Sequence, residues 1–172
     1  MNINSLDLDR IPFRAALCAA VAMLAMGSAQ AQNSGAPSYA GASLASTDYG
    51  TGLKVFLGGK VTPIFGWEAQ ITSFGSEEYR PGYKHSATAV GASGTARFPL
   101  NASLSAIGKA GLHYLQPRLS GPGTSDPDSS IELGLGAGLV WNFSHTAAVR
   151  FELENIGGSD GNFASVGLQF SF

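Results

Sequence analysis

Apolar and polar side chains alternate along most of the chain beyond residue 37, and the alternation is clearest in the last ten residues. One face of that segment collects the apolar side chains Ala164, Val166, Leu168, Phe170 and Phe172. The other face holds mostly small or polar residues. Because successive side chains of a strand point to opposite faces, this segment predicts a two-sided strand whose last residue is aromatic.

The same period of two predicts eight strands in all. Their approximate ranges are 38–46, 52–62, 64–74, 87–98, 102–114, 131–143, 147–156 and 163–172. Most of these segments are close to the ~9 to 11 residues that a tilted strand needs to cross a bilayer. Only helices and closed barrels satisfy all their backbone groups in lipid. The pattern therefore predicts an all-β fold, an eight-stranded antiparallel up-and-down transmembrane β-barrel.

The predicted connections alternate between tight turns and long polar loops. Tight turns are expected at Thr62-Pro63, Pro99-Leu100-Asn101 and Ser144-His145-Thr146. Residues 75–86 and 115–130 are rich in Gly, Pro, Asp and Ser, which mark loops. Short turns at one end and longer loops at the other are typical of bacterial barrels, with the turns in the periplasm. The residues expected in extracellular loops are Glu77, Glu78, Arg80, Asp126 and Asp128.

One face of the predicted barrel collects charged residues of both signs. They are Lys54, Lys60, Glu68, Arg97, Lys109, Glu132, Arg150, Glu152 and Glu154. An eight-stranded barrel has little room inside, so charges there are tolerable only if they are paired and hydrogen-bonded. The glycines of the sixth strand (Gly134, Gly136 and Gly138) would make space for long side chains. We interpret the set as a structural salt-bridge network; a charged gate in a narrow ion path is the alternative.

The period of two does not say which face points outward. A soluble barrel with the faces reversed, similar to a lipocalin, would place the charges outside. Three features favour lipid on the outside: the charges are in mid-strand, the chain ends on Phe, and aromatic residues occur near strand ends, as in an interfacial girdle. These aromatic residues are Tyr114, Trp67, Trp141, Phe143 and Phe172.

The N-terminal segment has the form of a secretory signal peptide. Arg10 and Arg14 precede an apolar run over residues 15–26, and Ala29-Gln30-Ala31 has the small-x-small form of a cleavage site. The run is shorter than the ~20 residues of a membrane-anchoring helix. We therefore predict a signal peptide over residues 1–31 and a single barrel domain over residues 32–172.

The composition excludes several classes of chemistry. The only cysteine, Cys18, lies in the predicted signal peptide, so we expect no disulfide in the mature protein. The net charge of −2 shows no basic patch that would favour nucleic acid. The three histidines, His85, His113 and His145, have no neighbours at the spacing of a metal site or of a serine–histidine pair. We expect no catalysis, no metal and no cofactor.

Two segments resemble the small OmpA/OmpX-like outer-membrane barrels. Residues 53–70 are similar to the second hairpin of that family, where a glycine-bearing strand turns into an aromatic-acidic strand. Residues 136–143, followed by residues 148–154, are similar to its sixth and seventh strands. The resemblance implies a location in the outer membrane of a Gram-negative bacterium. It also implies contact with outer-membrane lipids, including lipopolysaccharide, and a monomeric barrel.

The resemblance further implies that the barrel-assembly machinery recognises the terminal strand through Val166, Leu168, Phe170 and Phe172. We expect a structural or surface-interaction role. The first alternative is a narrow porin-like channel for ions or small solutes. Less favoured alternatives are an enzyme that modifies lipid A and the soluble lipocalin-like binding barrel.

Overall fold

The computed structural model describes residues 38–48, 50–122, 127–158 and 161–172. The predicted signal peptide, including Cys18, lies outside the described residues, and so does Asp126. Within the described part of the chain, no helix is long and apolar enough to cross a membrane.

Eight strands make up the described fold. They are β1 (Ser38–Thr47), β2 (Gly50–Lys60), β3 (Phe65–Arg80), β4 (Tyr83–Pro99), β5 (Leu104–Ser120), β6 (Ser130–Asn142), β7 (Ala147–Ile156) and β8 (Asn162–Ser171). Consecutive strands pair antiparallel, and β8 pairs with β1 to close the barrel. The predicted fold class is confirmed.

Three tight turns join β2 to β3, β4 to β5 and β6 to β7 at the same end of the barrel. Each contains a polar side chain that accepts a backbone hydrogen bond three residues further on. Thr62 Oγ1 accepts from Phe65 N at 2.8 Å, Asn101 Oδ1 from Leu104 N at 2.8 Å, and Ser144 Oγ from Ala147 N at 2.9 Å. Such bonds mimic a backbone turn, so these residues favour the tight connections that their sequences predict.

The expected loop over residues 75–86 is wrong. β3 continues to Arg80 and β4 begins at Tyr83, which leaves only Pro81 and Gly82 as the turn. The register shifts by one residue between Ser73 and Ser76, and Gly75 in this bulge has a φ of +88°. A bulge reverses the alternation of faces beyond it, which is why a strict period of two did not extend the strand.

The expected loop over residues 115–130 is also too long, because β5 continues to Ser120 and pairs with β4 as far as Lys84. β3, β4 and β5 thus continue past their other neighbours as a three-stranded sheet, residues 76–86 and 116–120, which we name the extension. Glu77, Glu78 and Arg80 therefore lie in strand β3 and its hairpin rather than in a loop. Asp128 is exposed in the connection before β6.

The outer surface of the barrel is apolar, and the charged face points inward. Large apolar side chains that are exposed on the outside include Leu44, Ile71, Val90, Leu112, Leu133, Leu135, Leu139, Phe151, Leu153 and Leu168. Trp67, Trp141 and Phe143 are exposed close to the tight turns. The reversed, lipocalin-like arrangement is therefore wrong for this chain.

Candidate functional site

The inside of the barrel is the only part of the described structure that concentrates charged side chains away from solvent, and it is organised in layers. Near the middle lies a group that we name the central ion cluster: Lys54, Glu68, Lys109, Arg150, Glu152 and Glu154. None of the six is more than 7% exposed. The cluster holds three cations and three carboxylates, so its charges balance.

Two lysines tie three carboxylates together across the lumen. Lys54 pairs with both Glu152 and Glu154. Lys109 Nζ lies 2.7 Å from Glu154 Oε2, 3.1 Å from Glu68 Oε1 and 3.3 Å from Glu152 Oε1. Glu152 and Glu154 therefore each have two lysine partners, and Glu68 has Lys109 and Arg150, as buried ions require.

Arg150 is buried in the cluster and pairs with two of its carboxylates. Its Nη1 forms an ion pair with Glu68 Oε2 at 2.6 Å, and its Nη2 donates a hydrogen bond to Glu152 Oε1 at 2.7 Å. The same group lies over the ring of Phe56, 4.5 Å from its centroid. A planar guanidinium can engage two carboxylates and an aromatic face at once, which a lysine cannot do in the same way.

Neutral side chains add hydrogen bonds to the cluster. Gln70 Oε1 accepts from Lys109 Nζ at 2.6 Å, and Gln70 Nε2 donates to Glu154 Oε2 at 3.1 Å. The hydroxyl of Tyr39 donates to Glu68 Oε2 at 3.0 Å. Buried polar networks of this kind rigidify an interior, and in this one Arg150 Nε is left without a described hydrogen-bond partner.

The glycines of β6 create the space for these side chains. A Cβ at Gly136 would lie 3.0 Å from both Glu154 Cγ and Lys109 Cε, and one at Gly138 would lie 2.8 Å from Glu152 Cγ. Side chains at these positions would displace the ion pairs. The interpretation of the β6 glycines as space for long charged side chains agrees with this geometry.

A layer of buried apolar side chains, which we name the apolar plug, lies between the central ion cluster and the end of the barrel opposite the tight turns. It consists of Ala45, Phe74, Ala87, Ala89, Ile156 and Phe163. The rings of Phe74 and Phe163 pack edge to face, with centroids 5.4 Å apart. The sequence analysis did not identify this layer. Phe163, Ser165 and Gln169 are an even number of residues apart and so share the inward face of β8, which could have indicated a buried Phe163.

At the tight-turn end the lumen opens into a cavity of about 440 Å³, which we name the tight-turn cavity. Its lining includes Lys60, Arg97, Tyr39, Ser105, Asn142 and His145, and it contains no acidic side chain. Arg97 donates to Gln169 Oε1 at 3.2 Å. This end of the lumen is therefore polar and positively charged.

The structure brings six of the nine charged residues that the sequence grouped together into one cluster. Lys60 and Arg97 instead line the tight-turn cavity, and Glu132 lies near Gly157 at the other end of β6. None of these three makes an ion pair with another described residue. The period of two places a residue on a face, but it carries no information about height along the barrel axis.

One buried serine–histidine contact was missed because the two residues are on neighbouring strands. Ser93 Oγ lies 3.4 Å from Nε2 of His113, and both residues are almost fully buried. Nδ1 of His113 has no hydrogen-bond partner within the described structure, so no carboxylate orients the ring. The described residues also contain no group of three or more side chains that could hold a metal ion.

A family model described as "Outer membrane protein beta-barrel domain" matches residues 16–172. Comparison with curated proteins finds no significant match. Among solved structures, the N-terminal β-barrel domain of Pseudomonas aeruginosa OprF is similar, with a TM-score of 0.65 at 14% identity. That match covers 79% of this chain and 97% of that chain.

Two further solved structures have the same fold. Neisserial surface protein A is similar with a TM-score of 0.58 at 17% identity, covering 81% of this chain and 98% of its own. Ail, the attachment invasion locus protein of Yersinia pestis, gives 0.55 at 17% identity, covering 80% and 97%. Another structure of Ail contains the heparin analogue sucrose octasulfate. At these identities the likeness concerns the fold.

Proposed function

The chain belongs to the outer membrane protein beta-barrel domain family, and on that premise we propose that it is a non-catalytic, non-conducting barrel with a structural role and a surface that interacts with other molecules. Its location is the bacterial outer membrane. The observation that carries the proposal is the filled lumen. The apolar plug and the central ion cluster occupy successive layers, and their side chains are almost entirely shielded from solvent.

Conductance distinguishes this proposal from a narrow channel. Purified, folded protein is inserted into a planar bilayer and recorded next to a large porin as a positive control. We expect no conductance steps above the background of the bilayer. Steps that change in size in Arg150→Ala and Glu152→Ala variants would replace the structural role with an ion path through the central ion cluster.

We further propose that the extension is the interacting surface and that it faces the outside of the cell. Support comes from the length of β3, β4 and β5 beyond their neighbours, since longer segments of bacterial barrels are extracellular and tight turns are periplasmic. An epitope inserted between Pro81 and Gly82 should bind antibody on intact cells. The same epitope inserted after Asn101 should bind only after permeabilisation, and the reverse pattern would refute the orientation.

The terminal strand supports a proposal about assembly. Val166, Leu168 and Phe170 are exposed on the outer surface of β8, and Phe172 continues the pairing with β1 through hydrogen bonds to Ser38. We propose that this strand is what the barrel-assembly machinery recognises, after export by the N-terminal leader, and that the product is a monomer in contact with lipopolysaccharide.

Heat-modifiability on gels tests the assembly proposal, because only a folded barrel shifts on boiling. Phe172→Ala should slow the appearance of the folded band in vesicles that contain the assembly machinery. Phe143→Ala removes another aromatic ring from the tight-turn end and should leave the rate unchanged. Equal rates in both variants would refute a special role for the terminal residue.

A further inference from the structure

The two cations of the tight-turn cavity, Lys60 and Arg97, form no ion pair with a described residue. The central ion cluster balances itself, with three cations against three carboxylates. Lys60 and Arg97 lie outside that balance, and neither is within ion-pair distance of a described carboxylate. Both side chains are half-buried in a concave site whose walls exclude part of the solvent. Such clefts focus the electrostatic potential and raise the local concentration of anions.

Further hydrogen-bonding side chains line the same cavity as the two cations. The hydroxyl of Ser105, the amide of Asn142 and the ring of His145 all contribute to the lining of the cavity. Arg97 makes one described hydrogen bond, to Gln169, whereas a guanidinium carries five N–H donors. The cavity therefore combines a guanidinium, an ammonium group and further hydrogen-bonding side chains, and its lining contains no carboxylate side chain.

The size of the cavity and its apolar wall describe the ligand further. A volume of about 440 Å³ falls in the range of small-molecule sites and exceeds the needs of a bare inorganic ion. Pro63, Pro99 and Ala102 line it beside the polar groups, and the hydroxyl of Tyr39 is already engaged with Glu68. Part of the wall is therefore suited to an organic group rather than to water.

We propose that the tight-turn cavity is a binding site for a phosphate ester group, with Lys60 and Arg97 as its anion ligands. Arginine matches the geometry of phosphate with its planar fork, and lysine adds a point charge. The group is either part of a small periplasmic solute or the headgroup of a phospholipid, since the proposed orientation places this end of the barrel at the periplasmic face.

Isothermal titration of the folded protein in a zwitterionic detergent tests the site. The probes are inorganic phosphate, glycerol 3-phosphate and a short-chain phosphatidylglycerol. We expect saturable binding of a phosphate ester, weakened about tenfold or more in each of Lys60→Gln and Arg97→Gln. Lys84→Gln and Arg118→Gln remove exposed cations of the same types from the extension and should leave binding unchanged.

The outcomes separate the source of the ligand from the existence of the site. Saturation by glycerol 3-phosphate identifies a soluble ester, whereas saturation only by the short-chain lipid identifies a headgroup. A heat-modifiable band from each variant shows that the barrel is still folded. Absence of saturable binding to all three probes, or equal weakening by the Lys84 and Arg118 controls, would overturn the proposal.

Discussion

Replacing Arg150 with methionine is the most direct test of the central ion cluster. Arg150→Met keeps most of the side-chain volume over Phe56 but removes two buried ion pairs, to Glu68 at 2.6 Å and to Glu152 at 2.7 Å. The cluster then holds two cations against three carboxylates. Removing one partner of a buried ion pair leaves an uncompensated charge and costs about 3 to 5 kcal/mol. We expect a loss of that size in the free energy of unfolding.

The assay is urea unfolding in lipid vesicles, followed by the fluorescence of Trp67 and Trp141, which lie on the outer surface. Adding Glu68→Gln to Arg150→Met restores equal numbers of cations and carboxylates. The double variant should therefore be more stable than the sum of the two single effects predicts, by about 1 to 3 kcal/mol. Arg118→Met, at an exposed position of the extension, should change stability by no more than about 0.5 kcal/mol.

Two results would refute this reasoning about the central ion cluster. A loss below about 1 kcal/mol in Arg150→Met would mean that the ion pairs contribute no more than exposed ones do. Strict additivity of Arg150→Met and Glu68→Gln would mean that the two side chains do not interact in the folded barrel.

The same unfolding assay tests the glycine contacts, the outer surface and the apolar plug. Gly136→Val should lower the free energy of unfolding by about 1 to 3 kcal/mol, because the added side chain overpacks the lumen. Gly108→Val should be tolerated, because a Cβ there meets open space. Equal losses in the two variants would contradict the tight packing around Gly136. Leu135→Arg places a charge on the lipid-facing side at the middle of β6 and should cost about 2 to 4 kcal/mol. Val61→Arg, beside a tight turn, should cost about 1 kcal/mol or less, and a reversed order would place the bilayer elsewhere. Phe74→Ala should lose about 3 to 5 kcal/mol by opening a hole in the apolar plug, and a loss under about 1 kcal/mol would show that this layer is loosely packed.

The strands that the sequence predicted best are those whose alternation is unbroken. β7 coincides with its predicted range of residues 147–156, and the tight turns at Thr62, Asn101 and Ser144 carry their own polar acceptors. The extension was missed for a local reason: the bulge at Gly75 shifts the register, so the alternating pattern changes phase in the middle of β3.

For the charged residues inside the barrel, the sequence predicted which face of the sheet they share but not their positions along the barrel axis. The two-residue alternation placed the charged side chains, including Lys54 on β2 and Glu152 on β7, on the same face of the sheet, and both are buried inside the barrel. It did not order the charges of different hairpins along the barrel axis, because their height depends on strand tilt and on the register of all eight pairings. The contact between Ser93 and His113 depends on the same register and is invisible in either strand alone.

The strands that the ion pairs connect also bear on the order of folding steps. Those between different strands join β2 to β7, β3 to β5, β3 to β7 and β5 to β7, and none of these is a pair of hydrogen-bonded neighbours. Lys54 and Glu152 are 98 residues apart along the chain. An open sheet, in which some strands have already paired, can therefore form its backbone hydrogen bonds while the side chains of the central ion cluster are still hydrated. We therefore expect these ions to lose most of their water when β8 pairs with β1, so that closure of the barrel is a late and cooperative step.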